Sequence, residues 1–133
     1  ADTHASDLER YPRLPVDHCY HGRPLSAEDL VAEMDLAEVS MANTWQNPAS
    51  TRYPGGEDEN AEALLEANRY IFECGRRYPE RFIPSGWVDP RACGVKNAIL
   101  LAETCVREFG FLLVKMNPAQ NQFPIDSPAV LQV

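Results

Sequence analysis

The chain has 133 residues, with 20 acidic side chains against 12 basic ones and a formal net charge of −8. That balance repels a polyphosphate backbone and argues against nucleic acid as a partner, while the length suits one domain (1–133) with a real core. No apolar run approaches the roughly 20 residues of a membrane span. The four cysteines, Cys19, Cys74, Cys93 and Cys105, are widely spaced without a CxxC pair, so a soluble cytoplasmic protein with free thiols is expected.

Residues 1–23 are polar, carry Pro12 and Pro15, and hold all three histidines, His4, His18 and His21. Irregular structure with one short extended stretch is expected there, and the amino end has neither a basic nor an apolar leader pattern. Ser26-Ala27-Glu28-Asp29 is a capping-box signature, and Leu30, Val31, Met34 and Ala37 continue it as a helical stripe to about Glu38. A strand is predicted over 39–45, with Val39 and Met41 on one face. Residues 46–59, with Pro48, Pro54, Gly55 and Gly56, read as a loop; no GxGxxG or GxxxxGK pattern makes it a phosphate cradle. Asn60 is expected to cap a second helix, with Leu64, Leu65, Ile71 and Phe72 inward, ending near Tyr78-Pro79.

Residues 82–118 parse as strand, helix, strand. The first strand ends at Asp89-Pro90. The helix carries Val95, Ala98, Ile99, Ala102, Cys105, Val106 and Phe109 on its apolar face and closes at Gly110 in a left-handed cap. Phe111-Leu112-Leu113-Val114 then forms a buried strand leading to Lys115 and Asn117. Two buried strands joined by a packed helix run parallel with a right-handed crossover, and ligand sites in such sheets lie beyond the carboxyl ends of the strands. Asp89, Lys115 and Asn117 are therefore expected to face a site, with Gln46 on the equivalent earlier loop. Trp45 and Trp87 are expected to fill core or rim, and Lys115 to serve either a ligand or an ion pair with Asp89. Beyond Pro118 the tail is loop-like until the apolar 129–133. The whole is an α/β protein with parallel strands and crossover helices.

Tyr11-Pro12, Gly22-Arg23-Pro24-Leu25-Ser26-Ala27-Glu28-Asp29-Leu30, Ala32-Glu33-Met34-Asp35, Tyr78-Pro79-Glu80-Arg81-Phe82, Val88-Asp89-Pro90 and Val114-Lys115-Met116-Asn117-Pro118 stand in an order and spacing that cover nearly the whole chain. Together they resemble the amino-terminal half of the amidohydrolase-related metal-dependent hydrolases. The branch is the one with aminocarboxymuconate-semialdehyde decarboxylase-like and dicarbonyl lactonase-like enzymes. The resemblance implies a (β/α)8 TIM barrel, of which 133 residues supply the first half, since a full barrel takes about 250. It implies hydrolysis or decarboxylation of a small, carboxylate-bearing substrate, helped by a divalent metal, zinc or manganese. Family chains open with Asp-x-His-x-His on the first strand; here Asp2 and His4 match and Ser6 replaces the second histidine, leaving His4 as the implied ligand. Lys115 is implied as a catalytic or substrate-binding cation for a substrate carboxylate, and Asn117, Gln46 and Asp89 are expected as further substrate contacts from their places at the strand ends.

Three readings stand beside this one. His18 and His21 could form a ligand pair, or be ordinary loop histidines. The chain could be a non-catalytic half-barrel, pairing as a homo-oligomer or with a second chain that completes the barrel and hides the strand edges. Asp89 could be a phospho-acceptor with Lys115 as its partner, although receiver-like domains separate those residues by about two βα units and here there is one.

Overall fold

The computed structural model describes residues 2–5, 9, 25–46, 55–118 and 122–133. Its strands are β1 (Asp2–Ala5), β2 (Ala42–Gln46), β3 (Phe82–Pro84), β4 (Gly86–Trp87) and β5 (Val114–Lys115). They alternate with α1 (Ala27–Leu36), α2 (Glu57–Arg77) and α3 (Pro90–Arg107), and a 3-10 turn spans Val130–Gln132. Every pairing is parallel: β1 with β2, β2 with β3, β4 with β5. The fold is α/β, and it has the strand order of successive βα units.

β3 and β4 form a single barrel strand that changes neighbours at Ser85. Backbone N–H groups alternate sides along a strand, and here the alternation is explicit. Ser85 N–H donates to Thr44 O on β2 (2.8 Å), whereas Gly86 N–H and Val88 N–H donate to Leu113 O (2.9 Å) and Lys115 O (3.1 Å) beside β5. Between them, Trp87 N–H should face β2 but finds the amide of Asn68 from α2. Trp87 N–H donates to Asn68 Oδ1 (2.7 Å) and Asn68 Nδ2 donates to Trp87 O (2.9 Å). A side-chain amide thus replaces a strand where β2 and β4 splay apart.

α1 starts as its sequence dictates. Asp29 N–H donates to Ser26 Oγ at 3.0 Å, and the Asp29 carboxylate returns to Ser26 N–H. Its exit was not legible. Glu38 takes φ 55°, with Glu38 N–H bonded to Asp35 O and Val39 N–H to Met34 O. This is a Schellman closure built on glutamate where glycine is usual. Residues 39–41 are thus spent on leaving the helix, so the second strand begins at Ala42 rather than Val39, and Met41 is exposed.

α2 starts at Glu57 behind Gly56, not behind Asn60. Asn60 lies within the helix, buried, and donates through Nδ2 to Gly55 O (3.1 Å) and Ala92 O (2.8 Å), tying α2 to the start of α3. The buried line of α2 runs Asn60, Leu64, Ala67, Asn68, Ile71, Cys74, and its two amides break the apolar pattern from which the stripe was read. The predicted stop at Tyr78 is the observed C-cap.

α3 is capped by Asp89, bends at Gly94 (φ 76°), and rests on the sheet through Ala98, Leu101 and Cys105. Leu101 replaces Ile99 and Val106, which face outward; apolar residues cover so wide an arc of this helix that periodicity alone left the inward direction open. Gly110 takes the expected left-handed conformation (φ 69°) that a side chain would strain. The final strand is shorter than predicted. Phe111 is buried, but Leu112 is 85% exposed and Leu113 half exposed, because β4 offers pairing to Val114 and Lys115 alone and no described strand lies on the other side of β5.

Candidate functional site at the strand carboxyl ends

Which face each side chain takes follows from one close approach. A Cβ added to Gly86 would lie 2.7 Å from Cys105 Sγ, so Gly86 looks toward α3, and its neighbours Ser85 and Trp87 look toward the opposite, inner face. Asn43 shares that face, because Ser85 Oγ–H donates to Asn43 Oδ1. Alternation then puts Trp45 on the inner face as well, and the register Trp87↔Lys115 adds Lys115. The inner carboxyl end thus gathers Trp45, Trp87 and Lys115 from three successive barrel strands.

The Lys115 ammonium lies 3.5 Å from the centroid of the Trp45 ring. A cation above an indole face gains from the ring quadrupole, by about 2 kcal/mol where water is excluded. Trp45 and Trp87 are almost wholly buried and Lys115 half-buried. The indoles do fill the core, and one of them also seats the cation. β1 places His4 at the register position opposite Trp45, one residue before the end of the strand. Ser6, His18, His21 and Cys19 lie outside the described residues.

Three further sequence-nominated residues lie at or just beyond the same strand ends. Asp89 is buried, and its Oδ1 accepts from Arg91 N–H (3.0 Å) and Ala92 N–H (3.1 Å), capping α3. Gln46 is buried, and strand alternation puts it on the face opposite Trp45. Asn117 is half-buried two residues beyond Lys115. Sequence reasoning missed Asn68, which holds the backbone of Trp87; an asparagine within an apolar helical stripe was the available signal.

The buried thiols do not add a nucleophile. Cys74, Cys93 and Cys105 are free, and burial pushes Cys93 up to about 11 and Cys105 up to about 12, so both stay protonated at neutral pH. Two grooves lie away from the inner face. One of about 200 Å³ runs between α2 and α3, lined by Leu65, Asn97 and Leu100 among others, and the other sits beside Arg81 at the amino ends of the strands.

Among the described residues no group of three or more His, Cys, Asp or Glu side chains converges. A divalent ion needs several anionic or imidazole donors, and the described residues do not supply them.

No protein-family model matches the sequence, and a search of curated proteins finds no match. Solved structures do match. 5-Carboxyvanillate decarboxylase from Novosphingobium aromaticivorans, solved with manganese and 4-hydroxy-3-methoxy-5-nitrobenzoic acid, superposes with a TM-score of 0.74 at 18% identity, over 98% of this chain and 45% of that one. 2,6-Dihydroxybenzoate decarboxylase from Rhizobium gives 0.71 at 18% identity, over 98% and 43%. A candidate amidohydrolase from Staphylococcus aureus gives 0.70 at 18% identity, over 99% and 42%. Identities this low establish the fold alone. The chain spans less than half the length of each of these solved chains. The neighbours found by structure have the fold that the sequence resemblance implied: this chain has the α/β fold of the first half of a (β/α)8 barrel.

Proposed function

We propose that this chain forms the amino-terminal half of a barrel enzyme that cleaves a C–C bond of a small aromatic carboxylate, a decarboxylase in preference to a hydrolase. The observation that carries the reading is the Lys115 ammonium seated on Trp45 at the carboxyl end of the inner face. Barrel enzymes use that end for chemistry. A lysine held there by an indole, which cannot neutralise it, keeps its full charge for a substrate anion, whereas a lysine paired with a carboxylate would not.

In this reading Lys115 binds and orients the substrate carboxylate, and the buried indoles keep water from the ring that carries it. The fold neighbours that are decarboxylases of hydroxylated benzoates support the choice of substrate class. The neighbour that holds manganese suggests a divalent metal for a whole barrel, with His4 as this half's contribution. The described donor set is too small for one, so no step is assigned to a metal here. The buried free thiols agree with a reducing, cytoplasmic setting.

The test is carbon dioxide release from a panel of hydroxylated benzoates by the purified full-length protein, with Lys115→Met beside it. Turnover lost in the variant supports the reading. Equal turnover by both proteins, or none by the parent with any member, sinks it.

A second reading is favoured by the strand edges. Among the described residues β1 pairs only with β2 and β5 only with β4, and Leu112 stands exposed beside that last edge. A half-barrel of this kind would act as an assembly module, associating with a second copy or another chain through β5. Light scattering on the parent and on Leu112→Lys distinguishes it: a parent oligomer that the variant dissociates supports the module, and a monomeric parent rejects it.

A further inference from the structure

Trp87 carries a polar atom that the described residues leave unused. Its side chain is 1% exposed, and its indole N–H has no hydrogen-bond partner among the described residues. A buried donor without an acceptor costs roughly 1–3 kcal/mol, and native structures seldom leave one unpaired without a reason. The backbone N–H and carbonyl of the same residue are both satisfied by Asn68, so the residue is held firmly while its side-chain donor is left over. Thr44 Oγ1, also buried without a hydrogen-bond partner among the described residues, belongs to the outward face of β2 and does not share this setting.

The position of the orphan is informative. Trp87 is the register partner of Lys115 on the inner face, and Lys115 is the cation seated on Trp45. An indole N–H can only donate and an ammonium can only donate. Two donors carried by register partners on the inner face, one of them charged, suit a ligand that brings acceptor oxygens and a negative charge, which a carboxylate does.

We propose that Trp87 is a further substrate-binding residue, its indole N–H joining the Lys115 ammonium as the second donor to one carboxylate of the ligand. This rests on the carboxylate-anchor reading of Lys115 given above and deepens it by naming the second contact. The arrangement selects for an anionic group over a neutral amide or alcohol of the same shape, because the neutral group leaves Lys115 without a counter-charge. Asn68 is a positioning residue, fixing the backbone from which the indole projects.

Benzoate serves as the probe and benzamide as its uncharged counterpart, with full-length protein labelled with ¹⁵N at the indole nitrogens. On titration with benzoate the Trp87 indole N–H resonance, assigned by its loss in Trp87→Phe, is expected to move downfield and its exchange with solvent to slow, while benzamide does neither. Calorimetry is expected to give about tenfold weaker benzoate binding for Trp87→Phe, as for the loss of one donor to a charged acceptor. Should Trp87→Phe not fold, triple-resonance assignment of the parent protein identifies the same signal, and its shift decides alone. An unmoved resonance at saturating benzoate, or no benzoate binding at all, overturns the proposal. Benzoate binding with the resonance shift, but without turnover of any hydroxylated benzoate, keeps the receptor and rejects the enzymatic reading.

Discussion

Asn68 satisfies both backbone groups of Trp87, accepting from its N–H at 2.7 Å and donating to its carbonyl at 2.9 Å, from a helix into a sheet. The pair closes the gap where β2 and β4 separate, and it is wholly buried. Asn68→Leu leaves two strand groups without partners in the core, and each such loss costs roughly 1–3 kcal/mol. A loss of about 3 kcal/mol in urea unfolding is expected, with Asn68→Asp failing similarly because a carboxylate cannot donate to the carbonyl. A change below about 0.5 kcal/mol would mean that the bond pair is not what holds the strand.

Lys115 should matter far more to binding than to folding. Lys115→Met retains the packing of the stem on Trp45 and gives up a contact of about 1 kcal/mol. If Lys115 anchors a substrate carboxylate as proposed, the same change removes that anchor, and a lost charge-assisted contact of about 3 kcal/mol is expected to lower kcat/KM by about 100-fold. Steady-state kinetics beside thermal melts read out the two effects. A variant that melts many degrees early would make Lys115 a structural residue.

Arg81 ties three elements together at the amino ends of the strands. Its guanidinium donates to Ser40 O (3.0 Å) and Val39 O (3.2 Å) and pairs with Asp35 at 2.7 Å. This end of a barrel serves stability rather than chemistry. Arg81→Ala is expected to cost about 1–2 kcal/mol through the freed carbonyls, with catalytic parameters unchanged. Arg81→Lys should recover little, since one ammonium cannot reproduce the fork. Full activity at reduced stability in both variants checks the assignment.

The buried thiols set an alkaline limit. Burial raises Cys93 to about 11 and Cys105 to about 12, from an ordinary value of 9.0. A raised thiol pKa means that the folded state holds a proton that the unfolded chain releases sooner. The contribution to stability is therefore complete below about pH 9 and declines as pH rises through 11 to 12. Urea midpoints should be level from pH 7 to 8.5 and fall above pH 9, and Cys93→Ala with Cys105→Ala should flatten that fall. Thiol reagents should label neither cysteine at pH 8 until urea unfolds the chain.

The parts of the fold that depend on neighbours in sequence were readable in advance. The Ser26 capping box, the stop at Tyr78-Pro79 and the left-handed Gly110 are each decided within a few residues, and each appears where local chemistry put it. The exit of α1 through Glu38, with glutamate in a conformation usually given to glycine, gave no such signal, and the start of the second strand was misplaced with it. At the site, Lys115 at a strand end was visible as a candidate. That Trp45 seats it was not, because the two residues lie 70 positions apart and meet only after two crossovers.

Hydrophobic period, caps and breakers fixed the alternation of helix and strand, and that alternation required parallel pairing, because short-range geometry leaves a crossover helix no other way to cover the sheet. Only the folded arrangement decided the direction of each side chain. The packing of Gly86 on Cys105 settles which residues look inward, the amides of Asn60 and Asn68 are recruited into the core because distant backbone groups need partners there, and Leu112 stays exposed because burial depends on what lies across β5 rather than on its own chemistry.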